Sequence, residues 1–182
     1  MKTHLPSLWL PSLPSGSLEH IVIHWTGGAN SVSALDKLHY HFIVDGEGVV
    51  HRGIWSVKSN ARPFRRRTGY AAHSLNFNAG SIGIALCGMG GATESPFRAG
   101  KWPIRQLQWQ IAAEVAAQCA AQYGISTTNY DILQHGEIQK RKQIAQRGKW
   151  DCCKLPWHPN WSHGDVERDF RLRVQRATLG TK

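Results

Sequence analysis

Acidic residues are scarce in this chain. There are 12 Asp and Glu against 22 Lys and Arg, giving a formal net charge of +10 with ten His uncounted. That balance disfavours cationic partners and suits anionic ones, whether nucleic acid, acidic lipid or an acidic cell envelope, without choosing among them. Long apolar runs are missing too. No segment approaches the roughly 18–20 residues of a membrane span, so stable membrane insertion is not expected. The start, Met1-Lys2-Thr3-His4-Leu5-Pro6, carries one Lys followed by Pro and Ser instead of a continuous apolar stretch. It does not read as a signal peptide, which leads to the expectation of a protein made and folded in the cytoplasm. Cysteine is limited to Cys87, Cys119, Cys152 and Cys153, with no CxxC pair. A bridge between neighbours 152 and 153 would be strained, so this is no disulfide framework. Cys87 and Cys119 read as buried thiols. Internal repeats and an excess of Gly and Pro are also absent. What remains is 182 residues with 41% hydrophobic content, which suits one domain with a sizeable core.

The apolar residues that are present fall into short, well-marked elements. Residues 1–17, with Pro6, Pro11 and Pro14, read as an irregular arm that Leu8, Trp9 and Leu10 could pin to a domain spanning 18–182. Ile21-Val22-Ile23-His24-Trp25 is a β-branched run closed by Thr26-Gly27-Gly28, the pattern of a buried strand. Ser33 followed by Asp36 has the form of a capping box and starts a short helix. His39–Val44 and Val49–Arg52 flank Asp45-Gly46-Glu47-Gly48 and predict a hairpin. Strand alternation there puts Tyr40 with Phe42 and Val44, opposite His39, His41 and Ile43. Residues 55–80 read as a long loop, a length uncommon unless functional or disordered. Ser81–Cys87 is a second buried strand, followed by the glycine-rich Gly88–Gly91. Pro103–Tyr123 is the clearest helix, with Ile104, Leu107, Ile111, Val115 and Cys119 at three- and four-residue steps and Gly124 at its end. Tyr130–His135 predicts a short strand, residues 136–150 are polar and basic without a core pattern, and Ser162–Val174 predicts a last helix. The order β-α-β-β-loop-β-α-β-loop-α implies an α/β single domain with a central mixed β-sheet flanked by α-helices.

Two histidines, His24 and His135, close two of these strands, and binding groups in α/β sheets gather at strand ends. Asp151 follows a loop of fifteen residues after His135, long enough to return to it. Three such ligands with a fourth position left for water are what a catalytic zinc requires. His39, His41, His51, His73 and the thiols of Cys152 and Cys153 compete for the same role on pattern alone.

Four segments change that balance. Ile21–Gly28 (IVIHWTGG), His39–Val44 (HYHFIV), His73 with Asn78 and Ser81–Leu86 (SIGIAL), and His135 followed by the Lys149–Asp151 turn resemble the zinc-dependent N-acetylmuramoyl-L-alanine amidases. That family includes amidase-type phage lysozymes, recycling amidases and peptidoglycan recognition proteins. The likeness runs over residues 20–157, and the form HGEIQ…RGKWD is most similar to phage and prophage members. It implies one zinc per chain held by His24, His135 and Asp151. Asp151 is preferred to Cys152 or Cys153 because the Lys-x-ligand spacing then fits. It implies further that Lys149 steadies the charge of the transition state, that Tyr40 stands beside the metal as a proton relay, and that His73 and Asn78 line the substrate groove.

The implied reaction is hydrolysis of the amide between N-acetylmuramic acid and L-alanine in peptidoglycan, as a cell-lysing endolysin acting on the wall after release. A non-catalytic peptidoglycan-binding protein and a cytosolic muropeptide-recycling amidase are the alternatives. A monomer is expected. No nucleic-acid partner is expected either, since no finger spacing, RNA-binding signature or helix-turn-helix pattern accompanies the charge. Glu137 reads as a solvated acid before it reads as a base. Trp150 and Trp157 read as packing, and the Arg62–Arg67 loop as either solvated or anion-binding.

Overall fold

The computed structural model describes residues 10–13, 15–65 and 69–179. Pro6, Leu8, Trp9, Pro14, Arg66 and Arg67, singled out above, lie outside the described residues. Five strands form one mixed sheet in the order β3-β2-β4-β1-β5: β1 His20–Trp25, β2 Phe42–Val44, β3 Val50–Arg52, β4 Ser81–Leu86 and β5 Ile132–Gln134. β1 runs parallel to both β4 and β5, β2 runs parallel to β4, and β3 pairs antiparallel with β2. The helices are α1 Ala34–His39, α2 Gln106–Tyr123, α3 Ile138–Lys142 and α4 His163–Leu179. Among the described residues, no helix is long and apolar enough to cross a membrane.

The pleat of the strands sorts their side chains. Ile21, Ile23 and Trp25 of β1, Ile82, Ile84 and Leu86 of β4, and Phe42 and Val44 of β2 enter the main core, together with α2 and α4. Alternation sends Val22 and His24 to the other face, where Val22 meets Leu133 and Ile138. His24 pairs in register with Ala85, and Val22 with Gly83 and Leu133. Beside His24 and Val22 on this second face, β4 thus offers the small residues Ala85 and Gly83.

The helices follow from local chemistry. Ser33 and Asp36 form a reciprocal capping box that starts α1. Gln108, fully buried in α2, donates its amide to the carbonyls of Val44 and Cys87 and so ties the helix to two strand ends. Gly124 ends α2 at φ 67°, in the left-handed region where glycine has no Cβ penalty. Trp109 donates to Asp169 at 2.8 Å and stands edge-on to Phe170, joining α2 to α4. Leu10 and Leu13 of the arm pack on the core, and the Tyr123 hydroxyl donates to the Pro11 carbonyl.

Several expectations need correcting. α1 runs through His39 and is capped by Tyr40, so β2 begins only at Phe42. The strand alternation therefore does not reach Tyr40, whose ring lies 5.1 Å from that of His24 and not with Phe42 and Val44. Leu107, expected to face inward, is half-exposed beside Gly48, because α2 starts at Gln106 and its buried stripe runs through Trp109, Ile111 and Val115. Residues 136–150 contain α3, anchored by the fully buried Ile138. Five residues are too few to show a helical period.

Candidate metal centre and cleft

His24 is the penultimate residue of β1, His135 follows directly on β5, and the two strands lie side by side. Their rings meet edge to face with centroids 4.6 Å apart. Asp151 reaches them from the 147–153 turn. There Arg147, Gly148 and Cys152 have φ of 54°, 70° and 64°. This tight winding points Asp151 at the histidines and Cys152 into the main core, while Cys153 packs against Gly136. Among the described residues, the group of His, Cys, Asp and Glu that could hold a metal is His24, His135 and Asp151, all buried.

The contacts form a small triangle. His24 Nδ1 to His135 Nδ1 is 3.0 Å, His24 Nδ1 to Asp151 Oδ2 is 3.1 Å, and His135 Nδ1 to Asp151 Oδ2 is 2.9 Å. The outer nitrogens have partners of their own. His135 Nε2 donates to Gln146 Oε1 at 2.9 Å, and the Gln146 amide nitrogen donates onward to the Leu75 carbonyl at 2.8 Å. His24 Nε2 lies 3.2 Å from His73 Nδ1. With the outer nitrogens carrying the protons, both Nδ1 atoms present lone pairs to a carboxylate oxygen, an arrangement that needs a cation among them. Ligand atoms on a tetrahedral zinc at about 2.0–2.1 Å stand roughly 3.3 Å apart, close to the observed triangle, so the residues fit the ion.

Burial first, then the neighbouring His135, lowers His24 to a pKa of about 4, so its imidazole is neutral at neutral pH. Burial alone would raise the Asp151 carboxyl, but hydrogen bonding and proximity to His135 and His24 outweigh it and hold the group well below the usual carboxylate range. Burial and the nearby Asp151 charge push the Cys152 thiol far up, and those of Cys87 and Cys119 rise to about 12. All four cysteines are free and buried.

The triangle opens into a cleft of about 870 Å³ lined by Tyr40, His73, Asn78, Lys149 and Trp150 among others. Lys149 is exposed on the rim, yet its charge is felt at His24. Burial first, then the Asp151 charge, raises the Tyr40 phenol far above its ordinary value, so it stays a proton donor. His73 lines the cleft, but its ring is covered. The Asn78 carboxamide oxygen is taken by the backbone amides of His73 and Ser74, at 2.9 and 2.8 Å.

The other histidines are engaged elsewhere. His39 contacts the Ala72 carbonyl, His41 lies between Asn60 and the Gly83 amide, and His51 pairs with Asp45. Glu137 is not a solvated acid. It is fully covered, accepts from the Gln134 amide and pairs with Arg171; burial drives its pKa up to about 7 against the pull of that Arg. Trp150 packs edge-on against Trp25 while also facing the cleft, Trp157 packs near Trp109, and Arg62 pairs with Glu19. Gln146 was not anticipated; a lone glutamine in a polar stretch carries no sequence signal.

A profile of the N-acetylmuramoyl-L-alanine amidase family (Amidase_2) matches residues 14–153. A search of curated protein sequences gives no match. Among solved structures, the N-acetylmuramoyl-L-alanine amidase LysC from Clostridium intestinale URNW is similar at 17% identity and TM-score 0.50, over 87% of each chain. The Ph2119 endolysin from Thermus scotoductus MAT2119 bacteriophage Ph2119 gives 18% identity and TM-score 0.49, over 85% of this chain and 86% of that one. Drosophila peptidoglycan recognition protein SA gives 19% and 0.46, over 87% of each. The likeness to LysC concerns the fold. With the profile covering most of its length, the chain belongs to the N-acetylmuramoyl-L-alanine amidase family.

Proposed function

We propose that this protein is a zinc-dependent hydrolase that cleaves the amide between N-acetylmuramic acid and L-alanine in polymeric peptidoglycan, in the role of a lytic endolysin. The observation that carries the metal reading is the triangle of His24 Nδ1, His135 Nδ1 and Asp151 Oδ2, whose sides are 2.9–3.1 Å, at the floor of an open cleft. His24, His135 and Asp151 would hold the ion. When bound, zinc supplies Lewis acidity and a water acidic enough to be a nucleophile at neutral pH. Lys149, on the rim of the cleft, would bring an ammonium to the amide oxygen as it gains negative charge, the kind of charge that lowers such barriers in a shielded site. Tyr40, kept protonated beside His24, can donate to that oxygen or deliver a proton to the departing L-alanine amine. Asp151, ionised and buried, would balance the charge of the cation. The net charge of +10 favours adsorption to an acidic envelope and supports action on the polymer.

The test is direct. Protein carrying one zinc should clear isolated sacculi and expose new L-alanine amino termini, and both chelation and Asp151→Ala should abolish this. Release of reducing sugar ends instead would point to a glycosidase and overturn the assignment. Binding to sacculi without new termini would establish the recognition-protein alternative. Activity on soluble anhydro-muropeptides but not on sacculi would replace lysis by recycling.

A further inference from the structure

We propose that the turn at residues 73–78 is a clamp that orients both metal-binding imidazoles, with His73 and Gln146 as its positioning residues. The inference rests on the reading that His24, His135 and Asp151 hold zinc. An imidazole can offer Nδ1 to a metal only if that atom carries no proton, and this is decided by what accepts the proton on Nε2.

For His135 the acceptor is Gln146 Oε1 at 2.9 Å. The amide cannot be reversed, because its nitrogen donates to the Leu75 carbonyl at 2.8 Å. For His24 the acceptor is His73 Nδ1 at 3.2 Å. His73 Nε2 faces the Ser81 carbonyl at 3.4 Å, an oxygen that only accepts, which puts the His73 proton on Nε2 and its lone pair on Nδ1, where the Ser74 hydroxyl, 3.0 Å away, is a second neighbour of the atom that accepts from His24 Nε2. Both lines of hydrogen bonds therefore end in one turn, at the His73 ring and the Leu75 carbonyl.

That turn is itself held. Asn78 Oδ1 receives the amides of His73 and Ser74, and the Asn78 carbonyl receives Asn60 Nδ2 at 3.0 Å. Asn60 is fully buried and also grips Ala71 through both its amide groups. The space for the His73 ring is reserved by Gly83, where a Cβ would stand 2.6 Å from the ring. His73 and Gln146 are only 7% and 2% exposed, which suits steadying a neighbour better than gripping a substrate.

The experiment uses the full chain, stripped of metal, with His73→Leu, His73→Gln and Gln146→Leu. Zinc affinity is read by competition with a chromophoric chelator, and Tm is measured on the metal-free forms. Both Leu variants should bind zinc about 10–100-fold more weakly, the usual cost of losing such a partner, a loss beyond what any fall in metal-free Tm accounts for. His73→Gln, which keeps an acceptor, should restore most of the affinity. Unchanged affinity in the Leu variants overturns the clamp. Equal loss in His73→Leu and His73→Gln, with or without a lower Tm, also overturns it by reducing His73 to packing. A rise in KM alone would return His73 to the substrate groove. A wild-type chain that takes up no zinc refutes the metal reading, and the clamp falls with it.

Discussion

Gly136 separates the two halves of the proposed metal centre, and adding one methyl there should disturb both. It follows His135 directly, and its amide donates to the Asp151 carbonyl at 3.3 Å. A Cβ at this position would overlap Cys153 Sγ and stand 3.1 Å from Trp150 Cα and 3.3 Å from its carbonyl carbon. Gly136 is not among the residues at positive φ, so the backbone accepts alanine and the cost is steric. Overpacking of this kind costs about 1–3 kcal/mol, and a weakened hydrogen bond adds about 1 kcal/mol. At roughly 2–4 °C per kcal/mol for a chain of this size, Gly136→Ala should lower the metal-free Tm by about 4–16 °C. The 150–153 backbone must retreat, carrying Asp151 away from His135, so zinc affinity should fall as well. Cys153→Ala removes the first clash. The double variant should therefore recover more than 1 kcal/mol relative to additivity, a coupling of the size seen for residues in contact. Urea unfolding of the four proteins and zinc competition measure both effects. An unchanged Tm and affinity in Gly136→Ala, or strict additivity in the cycle, would refute the packing argument.

Further expectations follow from the same contacts. Lys149→Ala should lower kcat by about 10²–10³ while leaving one zinc bound, and zinc loss in this variant would show that the ammonium has a different role. Burial lowers His41 from its ordinary 6.5 to about 4, although its hydrogen bonds to Asn60 and Gly83 act the other way. The unfolded chain thus binds the proton first as pH falls. Stability is full above about pH 6.5 and is lost toward pH 4, by about 3 kcal/mol from this residue. His24 and His73 act in the same direction. His41→Gln should flatten the slope of stability against pH over that window by up to about 1.4 kcal/mol per pH unit, and an identical slope would contradict it. Trp109→Ala, at a fully buried position bonded to Asp169, should cost about 3–5 kcal/mol in urea unfolding, whereas a cost below 1 kcal/mol would mean that α2 and α4 do not depend on this contact.

Much of the molecule was written in local chemistry. β-branched runs placed β1 and β4, the Asp45–Gly48 turn placed the hairpin, and apolar spacing with Gly124 placed α2. These signals are readable because each depends on residues within a few positions of one another. His24 and His135 also stood out, since both close apolar runs. Sequence resemblance then supplied Asp151 and the family. Where local signals overlapped, the reading failed. The capping box of α1 competed with the strand pattern of His39–Val44 and won the first two residues, which moved Tyr40 from the core side of the sheet to the metal side.

The remaining decisions belonged to the fold. Asp151, Cys152 and Cys153 are adjacent, and composition could not choose among them; the left-handed residues of the 147–153 turn send the carboxylate to the histidines and the Cys152 thiol into the core. Glu137 looked like a solvent acid until α4 brought Arg171 over it. Gln146 and His73 acquired their places only when β1, β5 and the 73–78 turn came together, because a hydrogen bond between residues 11, 49 or 71 positions apart leaves no trace in local pattern. Local pattern marked most of the strands and helices and the histidines that close two of them. The packing of β1 and β5 against the 73–78 turn settled which lone pairs face one another, because those atoms come from distant parts of the chain.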